Sequence, residues 1–101
     1  MKILHLTLKK RWFDLIASGV KKSEYREIKP YWIARFFKDD KILIQYDEIH
    51  FKNGYSKNCP FMRVEWDGLF FAEFEGKKCY EICLGNILEI KNWKQPEKEV
   101  D

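Results

Sequence analysis

The chain predicts an α+β fold: a small β-barrel or strongly curled mixed sheet with two peripheral helices near the N-terminus. Three observations carry this expectation. Residues 3–8 alternate in character with a period of two, the spacing of a half-buried strand. Helix-like stretches are confined to two early segments, one around Trp12 and one after Pro30. The remainder reads as strands broken by turn pairs, with no repeat, low-complexity tract or linker to divide it. Such a sheet buries its strand faces and protects its edges by curling or closing, and the helices patch what remains.

Taken in order, Ile3, His5 and Thr7 alternate with Leu4, Leu6 and Leu8, so the first strand turns its leucines inward. From Lys9 to Ser18 the period changes. Trp12, Leu15 and Ile16 make a helical stripe, Lys10 and Asp14 pair four apart, and Gly19 ends the helix in a left-handed conformation. Lys22 to Arg26 follows as a short strand. Pro30 suits the first turn of a second helix through Tyr31, Trp32, Ile33, Phe36 and Phe37, where its missing N–H is not needed. Asp39-Asp40 punctuates, and residues 41–46 return to strand composition. In 51–60, Asn53-Gly54 supplies a turn with Tyr55, Ser56, Lys57 and Asn58 exposed beyond it. Asp67-Gly68 gives the best local hairpin signal, between arms 61–66 and 69–74. Met62, Val64 and Trp66 share one side of the first arm. Strands over 79–84 and 87–90 flank Gly85-Asn86, a turn or bulge. Residues 1–93 thus read as one domain and 94–101 as a polar, frayed tail carrying Pro96.

At 101 residues and 46% hydrophobic, the chain can supply a core without metals or staples. Its charge is uneven. Residues 1–63 hold 14 Lys and Arg against 7 Asp and Glu, a net of +7; residues 64–101 hold 5 against 9, a net of −4. The first part can present a basic face to an anion, although the whole-chain excess of +3 does not demand a nucleic acid. Cys59, Cys79 and Cys83 lack paired metal-ligand spacing, and His5 and His50 lie far away in sequence. Reduced thiols, a cytoplasmic setting, and neither metal nor cofactor are expected. No apolar run reaches signal-peptide or membrane-spanning length, so no membrane partner is expected.

The candidate site is the polar cluster that follows the first helix. On a strand, Lys22, Glu24 and Arg26 fall on one face and Ser23 and Tyr25 on the other. Lys21 and Lys22 also suit the negative end of the helix dipole, a reason for their presence that needs no ligand. Glu24 and Arg26 can likewise form an ordinary surface ion pair. Ser23 and Ser56 have no recognisable triad context, and no phosphate-cradling glycine run or dinucleotide fingerprint occurs.

Gly19, Lys21, Glu24 and Arg26 complete a glycine-x-lysine-x-x-glutamate-x-arginine pattern, placed after a strand and a helix. In this the chain resembles the ASCH domain family, whose fold is PUA-like. The resemblance implies a small β-barrel with peripheral helices, a cleft beside the motif, and RNA or nucleotide recognition. Residues 51–58 also resemble a feature of small phage and bacterial ASCH proteins, which implies a further cleft wall. There Tyr55 would stack a base, Asn53 and Asn58 would read base edges, and Lys52 or Lys57 would meet phosphate. One enzymatic branch hydrolyses an acetylated cytidine with a lysine, a hydroxyl residue and an acidic group. Lys21 and Arg26 match its positions, but Glu24 stands where that branch carries threonine.

The leading expectation is therefore RNA or nucleotide binding, with Lys21, Lys22 or Arg26 on phosphate, Tyr55 on a base and Glu24 accepting a base or ribose hydrogen. The alternative is a metal-independent hydrolase of a modified cytidine or of RNA. In that case Lys21 is the base, Glu24 positions water and Arg26 steadies developing negative charge. A third reading is a protein-interaction adaptor, monomeric or weakly homodimeric, presenting Tyr31, Trp32, Phe36 and Phe37.

Overall fold

Leu4, Leu6 and Leu8 are buried while His5 and Thr7 are exposed, as the alternation requires. In the computed structural model, which describes residues 1–96, the strand is β1 (Ile3–Thr7) and the helix after it is α1 (Lys10–Ala17). Then come β2 (Ser23–Glu27), α2 (Pro30–Phe36) with Pro30 in its first turn, and the two-residue strands β3 (Phe37–Lys38) and β4 (Ile42–Leu43). The chain continues through β5 (Glu48–Lys52), β6 (Phe61–Phe74) and β7 (Lys77–Lys91). A five-stranded mixed sheet runs β1-β5-β6-β7-β2, and β3-β4 makes a separate two-stranded sheet. β1 lies parallel to β5; every other pairing in the large sheet is antiparallel.

Residues directly opposite across paired strands share a face. One face carries Leu4, Ile49, Val64, Phe51, Met62 and Ile82, and onto it pack Phe13 and Ile16 of α1 and Phe36 of α2. The other face carries a row of His5, His50, Arg63 and Glu89, and beside it a row of Thr7, Lys52, Phe61 and Lys91.

The α+β class stands, but the barrel and the strong curl do not. The sheet is open: β1 and β2 are its outer strands and do not pair with each other. The physical reason is that α1 and α2 already cover the apolar face, so burial is completed by a helix layer without closure.

Strand pairing also overrides local turn chemistry at several points. Asp67-Gly68 is not the hairpin turn. Both residues sit inside the continuous β6, where the register with β7 shifts between Trp66 and Leu69, and Gly68 at φ +111 accommodates the irregularity. The chain reverses instead at Glu75-Gly76, both with positive φ. Gly85-Asn86 is a bulge within β7. The strand expected over 41–46 shrinks to β4, and residues 48–52, read partly as loop, supply the inner strand β5. In α1 the buried face is Phe13, Ile16 and Ala17; Trp12 is only half-buried. Of the expected tail, residues 94–96 form no helix or strand, and 97–101 lie outside the described residues. Among the described residues no helix is long and apolar enough to cross a membrane.

Candidate functional site

The end of α1 builds the site's first wall. Gly19, at φ +83, turns the chain back so that the Gly19 N–H donates to the Ile16 carbonyl and those of Val20 and Lys21 to the Leu15 carbonyl. Lys21 is thereby fixed against the helix, and its ammonium sits 4.8 Å from the centre of the Trp12 ring. β2 then pairs with β7 so that Glu24 faces Ile82 and Arg26 faces Tyr80, both buried. This register turns the two charged side chains toward the helix layer. Trp32 of α2 receives the Arg26 guanidinium at 5.2 Å from its ring centre.

Glu24, only 4% exposed, is the hub. Its Oε1 accepts from Lys21 Nζ at 2.7 Å and from the Tyr25 backbone N–H at 3.1 Å. Its Oε2 lies 3.3 Å from an Arg26 terminal nitrogen yet accepts no hydrogen bond among the described residues, while that nitrogen donates to the Tyr25 carbonyl at 2.9 Å. A buried carboxylate oxygen without a donor is costly; here the Arg26 charge at 3.3 Å offsets part of that cost, and a water, an ion or a ligand group would complete its hydrogen bonding.

Lys21, Glu24 and Arg26 all line a cleft of about 740 Å³, open to solvent. Residues of both outer strands border it, Thr7 at the end of β1 and Glu24 to Glu27 of β2. Five cations line it, Lys9, Lys21, Arg26, Lys77 and Lys78, against the carboxylates Glu24, Glu27 and Glu75. Trp12, Phe74, Leu8 and Ile28 add apolar surface. Phe74 is steadied by stacking on Tyr25 at 4.8 Å, and the Tyr25 phenol, pushed up by burial and by Glu81, stays a donor toward that carboxylate. The combination suits a ligand with an anionic group, a flat ring and a hydrogen-bond donor.

Not every residue singled out in the sequence is here. Lys22 is exposed and borders a smaller groove of about 180 Å³ with Gly19 and Gly85. Asn53 donates from its amide to the Leu8 carbonyl at 2.9 Å, tying the β5–β6 loop to the cleft's rim. Tyr55, 92% exposed, and the exposed Lys57 and Asn58 belong to that loop and do not line the cleft. Lys9, Trp12, Phe74, Lys77 and Lys78 were not assigned to the site from sequence. The signal for three of them is Glu75-Gly76-Lys77-Lys78, a turn pair next to two cations, obscured by the stronger Asp67-Gly68. His5 and His50 stand on the opposite face, where His50 and Arg63 each contact Glu48 Oε1 at 3.0 Å. Among the described residues no group of three or more His, Cys, Asp or Glu is placed to hold a metal. Comparison of the chain with protein-family models, with curated proteins and with solved structures finds no match to any.

Proposed function

We propose that the protein is an RNA- or nucleotide-binding module of ASCH type, using the cleft at the junction of α1 and β2. The observation that carries this reading is Glu24, a buried carboxylate held between Lys21 and Arg26 on the cleft wall, with one oxygen lacking a donor among the described residues. Lys21, Arg26, Lys77 or Lys78 meets phosphate, Trp12 or Phe74 offers a stacking face in place of Tyr55, and Glu24 accepts from a base or ribose. A cytoplasmic setting belongs to the same proposal, because Cys59, Cys79 and Cys83 are all free thiols.

The test is titration of AMP, CMP, GMP, UMP and short single-stranded RNA at two salt concentrations. Saturable binding that weakens with salt and drops at least about tenfold in Lys21→Ala or Arg26→Ala is expected, the size of losing a charged hydrogen bond. No saturable binding across the panel would refute the reading.

One specific juxtaposition favours hydrolysis as the second reading: Lys21 Nζ and Glu24 Oε1 lie 2.7 Å apart in a cleft that also holds Glu75, so a water beside the pair would meet both groups once Lys21 has given up a proton. With acetylated cytidine, Lys21 in its neutral form takes a proton from a water positioned by Glu24. The resulting hydroxide adds to the amide carbonyl, Arg26 steadies the oxyanion, and the C–N bond breaks as the Lys21 ammonium returns its proton to the departing exocyclic nitrogen, giving cytidine and acetic acid, which ionises to acetate. Product formation lost in Lys21→Ala would favour this reading; binding without turnover would leave it unsupported.

A further inference from the structure

The sheet face turned away from the helices carries two aromatic and basic rows, and one of them begins at the cleft. Thr7 lines the cleft and stands in register with Lys52, Phe61 and Lys91 on the next three strands. Three strand spacings make this row about 14 Å long. Lys91 lies 5.7 Å from the centre of the Phe61 ring, which meets His50 edge-on at 5.3 Å, and His50 meets His5 at 5.4 Å. Among the described residues, the core contacts of both helices lie on the other face. The β5–β6 loop leaves the same end of the sheet, beginning directly after Lys52, and carries the exposed Tyr55 and Lys57.

The charges on this face are unequal in availability. Arg63 is held by Glu48 at 3.0 Å and Glu89 at 3.5 Å, and Lys91 lies 3.6 Å from Glu89. Lys52 and Lys57 have no carboxylate partner among the described residues. Unneutralised ammonium groups beside the half-buried Phe61 and the exposed Tyr55 complement a flexible polyanion with bases to stack, which is how open sheet faces bind single-stranded RNA.

Resting on the cleft reading above, we infer that the ligand is a single-stranded RNA of several nucleotides: one nucleotide occupies the cleft, and the strand continues over Thr7, Lys52 and Phe61 toward Tyr55 and Lys57. This gives the loop residues a role on the same ligand although they stand outside the cleft. A ligand confined to the cleft would leave Lys52, Lys57 and Tyr55 with nothing to bind.

The experiment compares AMP, CMP and UMP with the octaribonucleotides rA8, rC8 and rU8, using the full chain and three variants. Octamers are expected to bind at least about tenfold tighter than the corresponding monophosphates. Lys52→Ala with Lys57→Ala should remove most of that gain and reduce the log–log salt slope by about 1.4, two phosphate contacts' worth. Tyr55→Ala should weaken octamers by about fivefold or more while leaving monophosphates unchanged. All three positions are exposed, so these changes spare the fold. Octamers binding no better than monophosphates, or octamer affinity indifferent to all three positions, overturns the extended track while leaving the cleft reading intact. Monophosphate binding indifferent to Lys21→Ala refutes the cleft reading itself, and the track with it.

Discussion

Glu24 and Lys22 are two residues apart in sequence and differ in everything that governs stability. Glu24 sits between Lys21 and Arg26, whose side chains are 17% and 19% exposed, whereas Lys22 faces water. Removing the central carboxylate leaves two partly buried cations without their shared anion. Glu24→Ala is therefore expected to lower unfolding free energy by about 1–3 kcal/mol, while Lys22→Ala changes it by less than about 0.5 kcal/mol. Urea denaturation measures both, and equal effects would mean that the cluster is an ordinary solvated face. Acid sensitivity is also set by single residues. His5 is held below its usual value of 6.5 by burial first, then by the positive neighbours His50, Lys52 and Arg35. The unfolded chain therefore takes up this proton before the folded one, and stability falls as pH drops below about 6.5 toward the folded value. Glu48 acts lower down. The His50 hydrogen bond holds its carboxyl below 4.5, helped by Arg63 and opposed by burial, so its contribution is present above 4.5 and lost as pH falls through the folded value. His5→Gln should abolish the first loss and spare the second in denaturation curves recorded from pH 8 to 2; an unchanged slope between pH 7 and 5 would contradict this.

Among the elements, the long ribbon of β6 and β7 depends on backbone irregularities more than on turn strength. A Cβ on Gly85 would lie 2.9 Å from Glu65 Cβ and 3.4 Å from the Glu65 carbonyl oxygen, both across the bulge. Glu65 also accepts from the Asn86 N–H at 3.1 Å, which holds the bulge in place. Gly85→Ala should thus cost about 1–3 kcal/mol through overpacking. Gly76 has open space around it and φ +78, so Gly76→Ala should cost about 1 kcal/mol by strain alone and Gly76→Asn much less, since asparagine tolerates that region. Thermal or urea unfolding of the three variants would check the order. The same elements show what was legible in the sequence. The leucines of β1, the Gly19 cap and the Lys10–Asp14 pair at 2.6 Å follow from local periodicity, and all are present. The hairpin turn was misplaced because Asp67-Gly68 and Glu75-Gly76 both satisfy turn chemistry, and only pairing along β7 decides between them. Likewise Lys21, Glu24 and Arg26 were readable as a local pattern, while Lys77 and Lys78 reach the cleft only through the tertiary pairing of β7 with β2.

At the scale of the whole molecule, an alternating strand declares that one face is buried but not what buries it. The expectation of a barrel failed at that point, since the helix layer does the covering and leaves β1 and β2 as open edges. Of the aromatic cluster after Pro30, Phe36 is fully buried with Trp32 stacked on it and Tyr31 is exposed, while the exposed phenylalanines Phe70, Phe71 and Phe74 lie on the ribbon. An open sheet should also have graded stability. Ile49, Met62, Val64 and Ile82 are fully buried at the centre of β5, β6 and β7, with neighbours on both sides. β2 is paired on one side only, and β3 and β4 share just two residue pairs. Amide hydrogen exchange should therefore be slowest at those four central positions, intermediate in β2 and fastest in β3 and β4, because opening costs follow burial and pairing. Ligand in the cleft leans on β2 and on the end of α1, so saturation with a bound nucleotide should slow exchange at Lys21 to Arg26 and also at the centre, where exchange requires global unfolding that releases the ligand, while β3 and β4, which open without releasing it, exchange as before. Uniform protection across all strands, or a ligand effect confined to β3 and β4, would show that the cleft is not where the molecule's adjustable stability resides.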